Sequence, residues 1–386
     1  MLFVFVAISV VWLVFLLLAA YHGSAIKRLP ANPVHSSFPL ISVVIAARDE
    51  EKTLSESLPK LIASSYQNAE FILVNDRSSD NTSGLLHFYA ATDSRVKIIE
   101  ITKLPTGWLG KVNAQSEGVK LAKGKWLLLT DADVHFEPDA LALAVAEAEC
   151  RVLDHLLLLP KMRVERSKFL VPLFNLCFGM MFVSRLKARY LERPESSAFG
   201  GVGAFNLVRR SVYDRSAGLE WLRLEVLDDV GVGLLMKRAG GRSGIYASAG
   251  EVHLEWYGSF ADTIRGLEKN AFAGFARFSG LRATWMILFL LVVSFGGVAI
   301  ALAMHSLILF CGYLLVFSIL PALGILWAKS EQKIGFWIGL FIPIGFLLIA
   351  YVLARSSWKT LRQRGIYWRE TFYSIDELRA GQRVKL

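Results

Sequence analysis

Asp131 and Asp133 stand one residue apart in Thr130-Asp131-Ala132-Asp133, directly after the apolar run Trp126-Leu127-Leu128-Leu129. The run reads as a short buried strand, which carries both acids to a strand edge. There their hard oxygens suit a divalent cation that holds a substrate's phosphates. Asp is also common in solvated turns for local hydrogen-bonding reasons, so the pair needs support from its surroundings. A second pair, Asp228-Asp229, stands ahead of Val230 to Lys237, where two adjacent acids suit the cap of the helix that follows.

The elements that position these acids alternate between strand and helix signals. Leu40-Ile41-Ser42-Val43-Val44-Ile45, Phe71-Ile72-Leu73-Val74 and Val96-Lys97-Ile98-Ile99 read as strands, and Glu50 to Ser65 has helical spacing of Leu54, Leu58, Leu61 and Ile62. With a helix from Lys111 to Lys123 before the acid-bearing strand, this predicts a parallel α/β sheet whose ligands bind beyond the carboxyl ends of its strands. At those ends lie Arg48 to Glu51, Asn75 to Thr82 with Asp76 among them, and Asp131 with Asp133. Ser78, Ser79 and Asp80 are equally suited to capping a helix. Lys111 sits near a helix start, where a cation is locally unfavourable unless an anion lies close. Gly200-Gly201-Val202-Gly203 lets backbone approach a ligand, or makes a packing turn. Neither Gly-x-Gly-x-x-Gly after the first strand nor a Gly-x-x-x-x-Gly-Lys-Ser/Thr loop is present, which disfavours a Rossmann dinucleotide site and a P-loop.

The 386 residues are 54% hydrophobic and only 20% charged, too apolar for an ordinary soluble enzyme. Leu2 to Tyr21, Thr284 to Ala328 and Ile334 to Ala354 carry no acidic or basic residue except His305 and hold one, two and one candidate transmembrane helices. The chain then divides into an N-terminal anchor over 1–24, a globular domain over 38–280, membrane segments over 284–354 and a basic aromatic tail over 355–386. Lys27 and Arg28 follow the first segment, so the positive-inside tendency places the central domain in the cytoplasm and keeps that segment as an anchor of a multi-pass cell-membrane protein, not a signal peptide. Cys150, Cys177 and Cys311 are far apart, as suits a reducing compartment. Eight Lys or Arg against three Asp or Glu argue that the tail is also cytoplasmic, beside anionic lipid headgroups. Three full crossings would put it outside, so one segment is expected to be re-entrant or interfacial. Phe169 to Ser184, interrupted by Pro172 and followed by Arg185, Lys187 and Arg189, reads as an interfacial helix within 169–190, with a buried core helix as the alternative. Anionic lipid explains the +10 net charge better than nucleic acid, because no aromatic and basic binding module accompanies it.

In the order Ala47-Arg48-Asp49-Glu50-Glu51, Asn75-Asp76-Arg77-Ser78-Ser79-Asp80, Gly107-Trp108-Leu109-Gly110-Lys111, Asp131-Ala132-Asp133 and Leu227-Asp228-Asp229, the chain resembles family 2 glycosyltransferases with a GT-A domain. It is similar in particular to membrane-bound members that glycosylate lipids, including carotenoid-acid, hopanoid-associated and ceramide-type transferases. The resemblance implies a Rossmann-like mixed sheet that binds a nucleotide-sugar, with UDP-sugar favoured. Asp76 would hold the base, Glu50 would frame the uridine, and Asp131 with Asp133 would hold Mg²⁺ or Mn²⁺ against the diphosphate. Lys111 and Arg277 would face that diphosphate, Asp229 would be the base with Asp228 beside it, and Gly201 and Gly203 would belong to an acceptor-side loop. Similar tails follow the last span in hopanoid-associated relatives, where Arg364 to Tyr373 would either cover the donor site or anchor at the membrane.

Two departures refine that expectation. Processive and ceramide-type relatives carry Gln-x-x-Arg-Trp where this chain reads Gly274-Phe275-Ala276-Arg277-Phe278, and Asn75 stands where many relatives have Asp. The missing Gln and Trp favour transfer of a single sugar to a membrane lipid over polymerisation, within the inverting, metal-dependent activity that the resemblance implies. A processive polysaccharide synthase is the alternative, and a catalytically silent scaffold or export partner a third, opposed by the presence of Asp76, Asp131, Asp133 and Asp229 together.

Overall fold

The computed structural model describes residues 1–30, 38–163, 169–327 and 335–385; Ala328 and Ile334, which bound two of the uncharged stretches, lie outside them. The predicted strands form at Ile41–Ala47, Ala69–Asp76, Val96–Ile101 and Trp126–Asp131, each reaching further toward its polar end than the apolar run alone. Their side chains alternate between two cores. Val43, Ile45, Phe71, Leu73, Trp126 and Leu128 enter one, while Val44, Ile72, Val74, Leu127 and Leu129 enter the other. Both faces are covered, which is why these strands read as unbroken apolar runs. The helix Glu51–Ile62 sets Leu54, Leu58 and Leu61 on the first core, each burial contributing about 1.5–3 kcal/mol, and Gly110–Leu121 covers the second.

Across the eight-stranded sheet the order is Lys27–Arg28, Ser243–Ala247, His155–Leu159, Asn206–Arg209, Trp126–Asp131, Ile41–Ala47, Ala69–Asp76 and Val96–Ile101. The sheet is mixed, as the resemblance implies: the four predicted strands pair in parallel with one another, Asn206–Arg209 runs antiparallel to both its neighbours, and the other pairings are parallel. Ala46 pairs with Asp131 and Ala47 with Asn75, so the acid-bearing ends finish level along one edge.

Five of the described helices are long and apolar enough to cross a membrane: Leu2–Gly23, Leu170–Tyr190, Gly280–Ala303, Leu307–Ile325 and Phe336–Gln363. Leu170–Tyr190 covers the stretch read as interfacial, and its helix packs against both Leu2–Gly23 and Ile342–Gln363. Cys177 approaches Gly345 so closely that a Cβ there would lie 2.3 Å from its Sγ. Trp12 links the group, stacking on Phe317 at 5.3 Å and donating its indole N–H to the Val316 carbonyl. Phe3, Leu17, Trp285, Leu302 and Ile308 face outward and exposed, an apolar surface of the kind that meets lipid. Beyond these helices the tail folds into a hairpin, Gly365–Trp368 with Thr371–Ser374, and a helix, Ile375–Gly381. Ile366, Tyr373 and Leu378 enter the second core of the sheet domain, so the tail docks on that domain.

Candidate active site

Eight of the residues singled out in the sequence line a single cleft of about 680 Å³ at the carboxyl edge of the sheet: Glu50, Asp76, Lys111, Asp131, Asp133, Gly203, Asp228 and Asp229. Strand ends deliver Asp76 and Asp131, and the turns beyond the first two strands are tight enough to force left-handed backbone at Asp49 (φ 54) and Arg77 (φ 57). Such conformations cost on the order of 1 kcal/mol at non-glycine residues and persist only when held from outside. Cross-bonds hold them: Asp49 N donates to Ser78 Oγ at 3.0 Å, Ser79 N to Asp49 Oδ1 at 2.6 Å, and Glu51 N to Asp80 Oδ2 at 3.1 Å. Ser78, Ser79 and Asp80 thus do local structural work. Asn75 does likewise, donating to Glu100 Oε2 at 2.6 Å and accepting from Ser78 N.

Lys111 is the hub. Its Nζ lies 2.7 Å from Asp131 Oδ1 and 3.1 Å from Asp228 Oδ2, which joins the two acidic pairs through one cation. Burial works to strip its proton, but Asp131, Asp228 and Asp229 outweigh that and hold its pKa well above the ordinary value. The anion that a lysine at a helix start calls for is therefore present. Asp76 is gripped by its neighbour: Arg77 donates Nε to Oδ1 at 2.7 Å and a terminal nitrogen to Oδ2 at 3.0 Å.

Asp229 stands in the first turn of the helix Asp228–Arg238, held by backbone N–H groups on both oxygens, Gly203 N to Oδ2 at 3.0 Å and Val230 N to Oδ1 at 2.8 Å. Capping and an inward-facing carboxylate coexist at this residue. Burial, then Asp228, raise its pKa to about 7 against the pull of Lys111. The glycines are steric necessities here. A Cβ on Gly203 would lie 2.4 Å from Asp131 Oδ2, and one on Gly201 would lie 1.8 Å from the Asp229 carbonyl oxygen. Gly201 therefore supports the Asp229 backbone from behind the cleft lining.

Asp133 is pushed to about 7 by burial and then by Asp131 and Glu50, so a further cation beside it would favour its anionic form. Among the described residues no cluster of three or more His, Cys, Asp or Glu gathers to cage a metal. Two carboxylates on a turn nevertheless fit Mg²⁺ or Mn²⁺, since such ions take one or two protein carboxylates and complete their shell with phosphate oxygens and water.

Arg277 is not on the cleft lining. It closes the helix Ala271–Ala276 in a left-handed turn (φ 50), whereas Lys269, ahead of that helix, lines the cleft with its pKa lowered to about 8 by burial and by Lys111. Sequence reasoning also missed the far wall. Phe178 and Phe182 of the 170–190 helix face the cleft together with Trp256, Tyr257 and Phe275, and Phe178 lies 5.1 Å from Trp256 between ring centres. Trp256 and Tyr257 fall in an irregular stretch with no periodic signal to mark them. The tail contributes Trp368, Arg369 and Tyr373. Arg369 reaches Glu50 at 3.1 Å, Arg48 reaches Glu370 at 3.1 Å, and Tyr373 donates to the Trp108 carbonyl at 2.9 Å.

A mixed α/β sheet with acids gathered along its carboxyl edge defines a GT-A-like fold. A solved structure of the mannosyltransferase PcManGT from Pyrobaculum calidifontis, in complex with GDP-Man and Mn²⁺, superposes with a TM-score of 0.56 at 17% identity, covering 91% of this chain and 98% of that one. The sequence makes the assignment more specific: the model of glycosyl transferase family 2 matches residues 42–216, and the chain carries a domain of that family. It is 29% identical over 147 residues to the poly-beta-1,6-N-acetyl-D-glucosamine synthase of Staphylococcus epidermidis, covering 36% of this chain and 33% of that protein. It is 32% identical over 94 residues to the glycosyltransferase GlyG of Streptococcus pneumoniae, covering 24% and 30%. The chain thus spans about a third of the length of these curated relatives. The expected fold and family are both borne out.

Proposed function

We propose that this protein is an inverting glycosyltransferase that moves one sugar from a nucleotide-sugar donor to a membrane lipid. The observation that carries the reading is the two-sided cleft. Its floor is a cluster of acids around Lys111, and its opposite wall is aromatic and built partly on a helix that belongs to the apolar bundle. One side suits a charged donor and the other an acceptor arriving from the bilayer. The bound GDP-Man and Mn²⁺ of the mannosyltransferase support a nucleotide-sugar donor and a divalent cation for this fold. A UDP-sugar is our preferred donor.

Asp131 and Asp133 would hold Mg²⁺ or Mn²⁺, which when bound neutralises charge growing on the leaving diphosphate. Lys111 adds a fixed positive charge between that site and the base. Asp229, oriented by Gly203 and Val230, accepts the proton of the acceptor hydroxyl as the hydroxyl attacks the anomeric carbon from the face opposite the diphosphate. Glu50 and Asp76 frame the nucleoside, and the hairpin bearing Trp368 and Arg369 covers the donor. The tail and the sheet domain share one side of the membrane, a reading supported by their docking on each other. Gly280–Ala303 and Phe336–Gln363 would then make two full crossings, and Leu307–Ile325 would enter and return. The lack of Gln-x-x-Arg-Trp separates this reading from a processive synthase, which the named relatives in Staphylococcus would otherwise suggest.

The metal assignment is tested by nucleotide release from UDP-glucose, UDP-N-acetylglucosamine and GDP-mannose with a total membrane-lipid extract as acceptor. Release should require Mg²⁺ or Mn²⁺ and vanish in Asp133→Ala; metal-independent release by that variant at the native rate would refute it.

A further inference from the structure

Glu225 is a buried carboxylate outside the cleft lining, and only 1% of its surface is exposed. Such a group persists in a core only when its oxygens are bonded. Its Oε1 accepts from Leu227 N at 3.0 Å, at the head of Leu227-Asp228-Asp229. Its Oε2 accepts from two N–H groups at the far end of the chain, Arg383 N at 2.6 Å and Val384 N at 2.8 Å. One carboxylate therefore joins the segment that carries the acids to the last residues of the tail.

The tail is fixed around that joint. Val384 and Leu378 are each 1% exposed, Arg379 donates to the Phe278 carbonyl at 2.6 Å, and Arg383 Nε donates to the Trp221 carbonyl at 3.2 Å. Gly381 rests on Leu224, where a Cβ would lie 2.3 Å from the Leu224 Cβ, directly beside Glu225. On the other side, Gly231 of the helix that begins at Asp228 lets Leu222 pack close, since a Cβ there would lie 2.8 Å from Leu222 Cδ2, with Glu225 Cγ in ordinary contact at 3.4 Å. The hydrogen-bonded linkage runs from Val384 through Glu225 to the backbone of Leu227, two residues before Asp229 in the chain.

We propose that Glu225 is a positioning residue. It clamps the chain's C-terminal end to the Leu227–Asp229 segment and so sets where the Asp229 carboxylate stands in the cleft. The inference rests on the reading of Asp229 as the base. Glu225 touches no reacting atom; loss of the clamp lets the segment shift, and misplacing a reacting group by about 1 Å is enough to cost about 100-fold in rate.

The test uses the full-length protein in detergent with the three donors and the lipid extract named above. Glu225→Gln keeps the size but sets an amide NH₂ against backbone N–H groups, and Val384→Pro removes one donor from the tail without touching the cleft. Each is expected to bind UDP or GDP within twofold of the native protein and to lose at least tenfold in kcat with donor KM little changed. The double variant should lose no more than the worse single one, because both break the same joint. Native kcat in either variant, multiplying losses, or a loss of nucleotide binding that matches the loss of kcat would overturn the inference. Asp229→Asn, assayed in parallel, separates the two readings. If it remains active the base reading fails, and if it is dead while Glu225→Gln is fully active, the clamp alone fails.

Discussion

Asp229 combines burial, two backbone N–H donors and an acidic neighbour, and each leaves its mark on how it should behave. With its pKa raised to about 7, it accepts a proton only when ionised, so turnover should fall as pH drops through about 7. A pH–rate profile of nucleotide release checks this, and a flat profile from pH 5 to 8 would contradict the role. Lys111→Ala should leave Asp131 and Asp228 facing one another and cost about 10- to 100-fold in kcat/KM, the worth of one charge-assisted bond. Steady-state kinetics at saturating metal reads that effect. Much of this constellation was legible beforehand, because acids at the ends of apolar runs and a lysine at a helix start are local signals. Glu225 was not, nor was the partner of Arg369 within the tail stretch offered as a donor cover, since these pairings span 158 and 319 residues of sequence. The sequence pattern likewise pointed to Arg277, which is not among the residues that line the cleft.

Two elements wall the site, and only one of them, the tail, is placed near it by its sequence. The 170–190 helix has the composition of a membrane-surface segment, and nothing in its residues says that Phe178 meets Trp256. If that wall receives the acceptor's apolar part, Phe178→Glu should abolish transfer to lipid while nucleotide binding, followed by calorimetry, stays within about twofold. Equal loss of both would place the wall in folding. The tail hairpin is tied to the cleft by its ion pairs with Glu50 and Arg48. Arg369→Ala should raise donor KM severalfold; an unchanged KM would return the hairpin to the role of membrane anchor. Strands were recognisable because two covered faces produce continuous apolar runs, whereas the antiparallel insertion of Asn206–Arg209 depends on a long-range pairing with no local signature.

At the scale of the molecule, a sheet domain, an apolar helix bundle and a C-terminal tail meet at one cleft. Cys150 is exposed on the sheet domain and Cys177 is buried in the bundle. A membrane-impermeant maleimide should therefore label Cys150 in inside-out vesicles, and labelling only in right-side-out vesicles would reverse the orientation. The tail's charge balance argues that one apolar segment does not fully cross, and its docking on the domain is compatible with that expectation. The central claim is that the cleft joins one sugar to a membrane lipid. It is tested most directly by mass spectrometry of lipids extracted after incubation of the native protein, and of Asp229→Asn, with nucleotide-sugars and membrane lipid. The account predicts a lipid heavier by a single sugar residue with the native protein and none with the variant. Long polymer, or the same glycolipid from Asp229→Asn, would contradict it.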